Sequence, residues 1–190
     1  MTHQPLIWVL TDDRAGNVAQ ALGVAEALQH PFVTKEIHYT PLARLPSLLM
    51  GARLLGLAPE SRATLIPPWP DVVIAAGRRS SSVARWIKRA AMDHSAKPVI
   101  LSQLMNPGRE GAEEFDIIVV PRHDRNRPNG DAPNVRCITG AAHRLSADRL
   151  KCAADSWAEH LGGLPRPFIA LIVGGATRRK PFPTSLASDL

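Results

Sequence analysis

Cysteine is nearly absent from this 190-residue chain, with only Cys137 and Cys152 and no CxxC pair or histidine cluster at zinc-ligand spacing. Neither a disulfide framework nor a structural metal site is indicated, and a reducing compartment fits best. Aromatic residues make up 5% and do not interleave with the basic ones, so nucleic acid is an unfavoured partner. No apolar run reaches the roughly 18 residues that span a bilayer. Met1-Thr2-His3-Gln4-Pro5 also lacks the charged n-region of a secretory leader. The expected location is cytoplasmic, at most peripheral to the inner membrane face. Three sequence signatures are missing too. The lack of GxGxxG argues against NAD bound in the usual mode, that of GxxxxGK[ST] against a P-loop ATPase, and that of GxSxG against a nucleophile elbow.

Positive charge, by contrast, is in excess. Lys and Arg number 23 against 17 Asp and Glu, a formal net charge of +6, and arginine, suited to bidentate capture of phosphate and carboxylate, dominates the cations. Hydrophobic residues at 45% and charged residues at 21% belong to a globular chain.

Continuous apolar runs alternate with helical patterns, which predicts an α/β fold: a Rossmann-like parallel sheet with helices on both faces. Strands are expected at Leu6 to Leu10, Val33 to Tyr39, Asp71 to Ala76, Pro98 to Leu101, Phe115 to Val120 and Val135 to Thr139. Helices are expected after Asn17 as cap, over Leu45 to Leu57, from the turn at Gly77 onward, and from a Ser146 cap to about His160 with Leu150, Ala153, Ala154, Trp157 and Leu161 facing inward. The stretch Gly162 to Pro167 reads as a linker, followed by a fresh strand at Phe168 to Val173 and a helix start at Thr184 to Leu190. The expected division is a Rossmann-like N-terminal domain over 1–163, then the first strand, loop and helix of a second α/β domain over 164–190. On that reading the chain is the N-terminal portion of a longer protein and inactive without its C-terminal domain. The alternative is a closing strand and short tail added to the first sheet.

Ligands of doubly wound sheets bind beyond the carboxyl ends of the strands, so the candidate loops follow directly. Asp12, Arg14, Gly16 and Asn17 follow the first strand, and Gly77, Arg78, Arg79 and Ser80 the third. In the latter loop, glycine permits a sharp turn while serines, helix N–H groups and arginines can bind an anion. Ser80 acting only as a helix cap is the plainer alternative. His123 and Asp124 follow the fifth strand, where an imidazole held by a carboxylate can act as a general base, although such a pair also makes an ordinary turn. Asp12 is a second candidate base or a capping carboxylate, with no metal expected. His143 beside Arg144, and Gly174, Gly175, Thr177 and Arg178, complete the set, the last group suited to a diphosphate. Of the six strand-end loops, all but Ser102 to Pro107 carry arginine. The apolar helix expected at 45–57, flanked by Arg44, Arg53 and Arg62, is suited to a membrane interface or to simple burial.

Taken in order, Val9 to Asn17 with Gln20 to Gly23, Pro70 to Arg79, Val120 to Asp124, Gly140 to Arg144 and Val173 to Gly175 resemble the bacterial branch of the mitochondrial fission protein family. Two positions depart from the family pattern: Asp13 stands where glycine is usual, and Arg122 where relatives often carry an acidic residue. The resemblance implies a GT-B-like fold of two Rossmann-like domains facing across a cleft. It also implies a glycosyltransferase-like protein with a nucleotide-sugar as co-substrate and no other cofactor. The loops at Thr11, Gly77 and His123 would line the acceptor side, and Gly174, Gly175 and Arg178 would touch the donor phosphates. The alternative it implies is a non-catalytic adaptor on a membrane or protein partner, since the family's plant member is an organelle-division factor.

Overall fold

A computed structural model describes residues 4–45, 47–126, 130–171, 183 and 185 of the chain. It divides into two compact units, Met1–Leu145 and Ser146–Leu190. The first holds six strands, β1 (Ile7–Thr11), β2 (Phe32–Glu36), β3 (Val72–Ala76), β4 (Ile100–Leu104), β5 (Ile117–Pro121) and β6 (Val135–Ile138). Its helices are α1 (Ala15–Ala27), α2 (Ser47–Met50), α3 (Pro59–Ala63) and α4 (Arg78–Ser95). Every pairing is parallel and the order across the sheet is β2-β1-β3-β4-β5-β6. This is the Rossmann-like α/β architecture that the apolar runs predict.

Both sheet faces are covered, which is why the central strands read as continuous apolar runs. Ile7 and Val9 of β1 and Ile74 and Ala76 of β3 pack with Ala21 and Ala25 of α1. The alternate residues Trp8, Leu10, Val73 and Ala75 pack with Val83, Ile87 and Ala91 of α4. From β1 the chain steps outward to β2, then crosses back over β1 to β3. The direction of winding therefore reverses between β1 and β3, and the loops following these two strands diverge around a crevice.

Several expected boundaries shift. Arg14 rather than Asn17 is the cap residue of α1, and Asn17 lies in the helix's first turn. Strand β2 stops at Glu36, leaving Tyr39 to form a single antiparallel bridge with Leu57. β4 runs from Ile100 to Leu104, further along than Pro98 to Leu101, because Ser102 and Gln103 continue the ladder with Ile74 and Ala75. The single helix over Leu45 to Leu57 does not form. Residues Pro41–Arg44 make a 3₁₀ turn, α2 covers only Ser47–Met50, and the left-handed backbone at Gly51, φ 51°, ends it. Arg62 caps the following loop by donating to the Leu57 carbonyl at 2.9 Å.

In the second unit α5 (Ala147–Leu161) forms as expected, with the Ser146 hydroxyl accepting from the Arg149 N–H at 3.2 Å. Its inward stripe is the exception, since Leu150 and Trp157 are 57% and 58% exposed and the helix buries no residue. Residues Phe168–Leu171, expected to begin a strand, belong to none. The rest of that strand and most of the helix expected at Thr184 to Leu190 lie outside the described residues. Among the described residues no helix is long and apolar enough to cross a membrane.

Candidate functional site

The crevice between β1 and β3 is built around one arginine. Arg79, in the first turn of α4, donates from one terminal nitrogen to Asp12 at 3.1 Å and also to Asp13. The Asp12 side chain is only 4% exposed, and its carboxylate also accepts from the Arg14 backbone N–H at 3.0 Å and from the Asn17 amide at 3.2 Å. Asp12 is thus engaged on three sides, an arrangement that ties α1 to α4 and leaves it poorly placed to take a proton from a substrate. The Arg79 hydrogen bond, helped by its charge, holds the Asp13 carboxyl below its ordinary range against the opposing effect of burial. Burial would lower the guanidinium's own pKa, but Asp13 and Asp12 together raise it. The guanidinium also lies over the Tyr39 ring, with Cζ 4.4 Å from the ring centroid.

Gly77 joins strand to helix with φ 80° and ψ 165°, a region open essentially to glycine alone. A β-carbon there would also stand 2.7 Å from the Asn17 amide nitrogen. The turn is pinned from β4: the Gly77 N–H donates to the Leu104 carbonyl at 2.9 Å, and the Gly77 carbonyl accepts from the Gln103 amide at 3.0 Å. Ser80 is not the helix cap. Its hydroxyl donates back to the carbonyls of Ala76 and Gly77 at 2.8 and 2.9 Å, while Ser81 and Ser82 donate to Arg78 and Arg79. All three hydroxyl protons are committed, so they are not free donors for an anion as the loop's composition suggests. A cavity of about 20 Å³ beside them, lined by Arg78, Arg79 and Arg85 with Leu45 and Met50, has room for about one water.

What the crevice offers instead is backbone. Neither α1 nor α4 has a side-chain cap or an acidic residue in its first turn. Asp12 takes the Arg14 N–H at the α1 cap, but among the described residues the first-turn N–H groups of both helices have no side-chain acceptor. Arg14 and Arg78 are exposed at these two ends and form no ion pair among the described residues. Gly16 sits in the first turn of α1, where a β-carbon would meet nothing within 4 Å.

The remaining expected site residues are dispersed. His123 is exposed and Asp124 buried in a 3₁₀ turn after β5. Two strands, β3 and β4, separate β5 from β1, which puts His123 roughly 14 Å across the sheet from Asp12, so the two candidate bases do not act on one atom. His143 and Arg144 do not line the strand-end edge. The segment carrying them crosses to α1, where the His143 carbonyl fits against Gly23, Arg144 pairs with Glu26 at 2.5 Å, and His143 Nδ1 accepts from the Leu145 N–H at 3.2 Å. Glu26 is nine residues beyond Asn17, about 13 Å further along the helix. Gly174, Gly175, Thr177 and Arg178 lie outside the described residues. Of the loop arginines, Arg125 is held by Asp131 at 2.9 Å. Arg79, Arg125 and Arg144 are thus held by carboxylates, while Arg14, Arg78 and the exposed Arg122 have no ion pair among the described residues. Among the described residues no group of three or more His, Cys, Asp or Glu is placed to hold a metal ion.

Two contributors escape a sequence reading. Gln103 has a signal, a lone amide inside an apolar strand, and it is fully buried beneath the Gly77 turn. Tyr39 has none, because only the crossing of β2 over β1 brings it to Arg79.

These features define a doubly wound, Rossmann-like α/β protein with a polar crevice at its switch point. The model of the mitochondrial fission ELM1 family matches residues 15–190, and the chain belongs to that family. An uncharacterised protein of Rickettsia prowazekii (strain Madrid E) is 34% identical over 119 residues, covering 62% of this chain and 32% of that protein. The mitochondrial fission protein ELM1 of Arabidopsis thaliana is 26% identical over 163 residues, covering 75% of this chain and 36% of its own length. The chain spans about a third of the length of these relatives. No solved structure matches the chain significantly.

Proposed function

We propose that the β1/β3 crevice binds the phosphate-bearing part of a nucleotide-sugar-type ligand, and that the chain is the N-terminal, Rossmann-like half of a GT-B-like, glycosyltransferase-like protein. The observation that carries this is the pairing of two helix N-termini without a side-chain cap with two exposed arginines, Arg14 and Arg78, that have no ion pair among the described residues at the switch point. Backbone N–H groups, dipole ends and guanidinium groups all favour an anion there. The GT-B assignment adds a second domain across a cleft, and it rests on fold analogy. In this scheme Asp12 positions the two helices. His123, on the same edge, remains the candidate base, facing a substrate held between the domains, and Gly174, Gly175 and Arg178 would meet the donor phosphates. Calorimetric titration with UDP, GDP and their sugar conjugates tests the reading. Arg78→Ala and Arg14→Ala are each expected to weaken binding about tenfold, the scale of one charge-assisted hydrogen bond. Absence of binding to every nucleotide tested, or binding indifferent to both substitutions, refutes it.

The adaptor reading draws support from the exposed apolar stripe of α5, with Leu150 and Trp157 uncovered, and from the Arabidopsis relative's being a mitochondrial fission protein by name. A membrane helix at 45–57 no longer supports it, because that segment is broken at Gly51. Flotation with anionic liposomes separates the membrane form of this reading from the ligand-binding one. Protein that stays with the aqueous fraction counts against membrane attachment at the inner face.

A further inference from the structure

Around Arg79, hydrogen-bonding capacity goes unused. The Tyr39 hydroxyl and Arg79 Nε are both buried and have no hydrogen-bond partner, and the Thr40 hydroxyl next along the chain is in the same state. Buried donors without acceptors are rare in folded proteins and mark places where a water, an ion or a ligand completes the structure. The guanidinium lies over the Tyr39 ring, with Cζ 4.4 Å from its centroid, so the two unpartnered groups belong to one stacked pair.

The surrounding charges decide what kind of oxygen that is. Asp12 and Asp13 share the one Arg79 guanidinium. The two carboxylates outnumber that single guanidinium, so the buried side of the cluster toward Tyr39 has no surplus positive charge to hold an anion, unlike the solvent-facing helix ends that carry Arg14 and Arg78. Burial, with Asp12 nearby, pushes the phenol above its ordinary range, so it stays protonated and donating through neutral pH. Asp13, 69% exposed, remains able to accept from a ligand hydroxyl at the mouth. Access requires one side chain to turn: Arg79 is 18% exposed, and its outer anchor is the solvent-facing Asp13.

We propose that Tyr39, Arg79 and Asp13 form a subsite for an uncharged, hydroxyl-bearing group of the sugar class, in which a ligand oxygen accepts from the Tyr39 hydroxyl and Arg79 Nε while a ligand hydroxyl donates to Asp13. It rests on the nucleotide-sugar reading for its place in a larger ligand, with phosphates toward Arg78 and the neutral part toward Tyr39. Its chemistry stands independently of that reading.

Tyr39 is the only tyrosine in the chain, so labelling with ¹³Cζ-tyrosine yields one NMR resonance, reporting on this phenol without altering the protein. A panel of free hexoses and N-acetylhexosamines is titrated into the chain, with inorganic phosphate and acetate in parallel. The expected result is a saturable shift with at least one sugar in the millimolar range and none with the two anions. Asp13→Asn is expected to weaken that sugar about fivefold or more. A shift driven by phosphate or acetate instead, or no shift with any compound because only water fills the gap, overturns the proposal. UDP binding followed by calorimetry on the same sample separates the two readings. UDP binding without a sugar shift sinks this subsite alone, whereas a sugar shift without UDP binding sinks the nucleotide reading and leaves the subsite standing.

Discussion

Replacing Gly77 by alanine perturbs the crevice at its tightest point. At φ 80° and ψ 165° an alanine backbone is strained by about 1–3 kcal/mol. Its β-carbon would lie 2.7 Å from Asn17 Nδ2, a contact relieved only by expelling that side chain. Expulsion forfeits the Asn17 bonds to Asp12 at 3.2 and 3.4 Å, worth about 1 kcal/mol given their length. The combined cost is about 2–4 kcal/mol. With a urea slope of about 2–3 kcal/mol/M, the unfolding midpoint should fall by about 0.7–2 M. Unfolding followed by tryptophan fluorescence suits the measurement, since Trp8, Trp69 and Trp86 sit in or against the core of the same unit. A double-mutant cycle isolates the collision: once Gly77→Ala has displaced the Asn17 side chain, Asn17→Ala should cost about 1 kcal/mol less than in the unsubstituted chain. A Gly77→Ala midpoint within about 0.2 M of the original, or strict additivity in the cycle, would refute the geometry on which the candidate site rests.

Other expectations follow from the same coordinates. Gly23→Ala places a β-carbon 2.4 Å from the His143 carbonyl, so the 140–145 segment should detach from α1, visible as faster hydrogen exchange at residues 141–145; unchanged exchange would contradict the docking. Tyr39→Phe removes a buried hydroxyl with no partner, so thermal unfolding should show no loss of stability and a gain of up to about 1 kcal/mol. Glu114 receives Arg85 at 2.5 Å and Arg89 at 2.9 Å; burial raises its pKa, but these two guanidinium groups override it and leave the carboxyl below its ordinary 4.5. Its stabilising effect is therefore fully present above pH 4.5 and lost as pH falls through the lowered value. Glu114→Gln should cost about 2–3 kcal/mol at pH 7, after discounting for partial exposure, and should flatten the acid limb of the stability curve; a limb of unchanged slope would reassign that limb to other carboxylates.

The four central strands were legible because each is an apolar run bounded by turn residues, and burial on both faces imposes that pattern locally; the edge strands β2 and β6, largely exposed, carry a weaker signal. The helix at 45–57 was misread for a related reason. Its leucines give a convincing apolar arc, but the left-handed backbone at Gly51 is a single-residue event that periodicity averages away. The candidate loops were legible as strand ends, although which of them meet was not. Asp12, Asn17, Gly77 and Arg79 come together because β1 and β3 are adjacent, whereas His123 lies two strands beyond β3 and Arg144 is drawn to α1.

The sequence by itself determined the α/β class, the number of strands in the first unit and the edge on which ligands would lie, since all three follow from hydrophobic period and turn chemistry along the chain. Tertiary structure alone decided the fate of the charges. The +6 excess resembles a binding surface until the fold pairs Arg79 with Asp12 and Asp13, Arg85 and Arg89 with Glu114, and Arg144 with Glu26. These partners are all 25 or more residues apart and are matched by strand order rather than by sequence spacing. What survives that pairing at the switch point is small, Arg14 and Arg78 at two uncapped helix ends, with Tyr39 and Arg79 Nε left unbonded between them and the core.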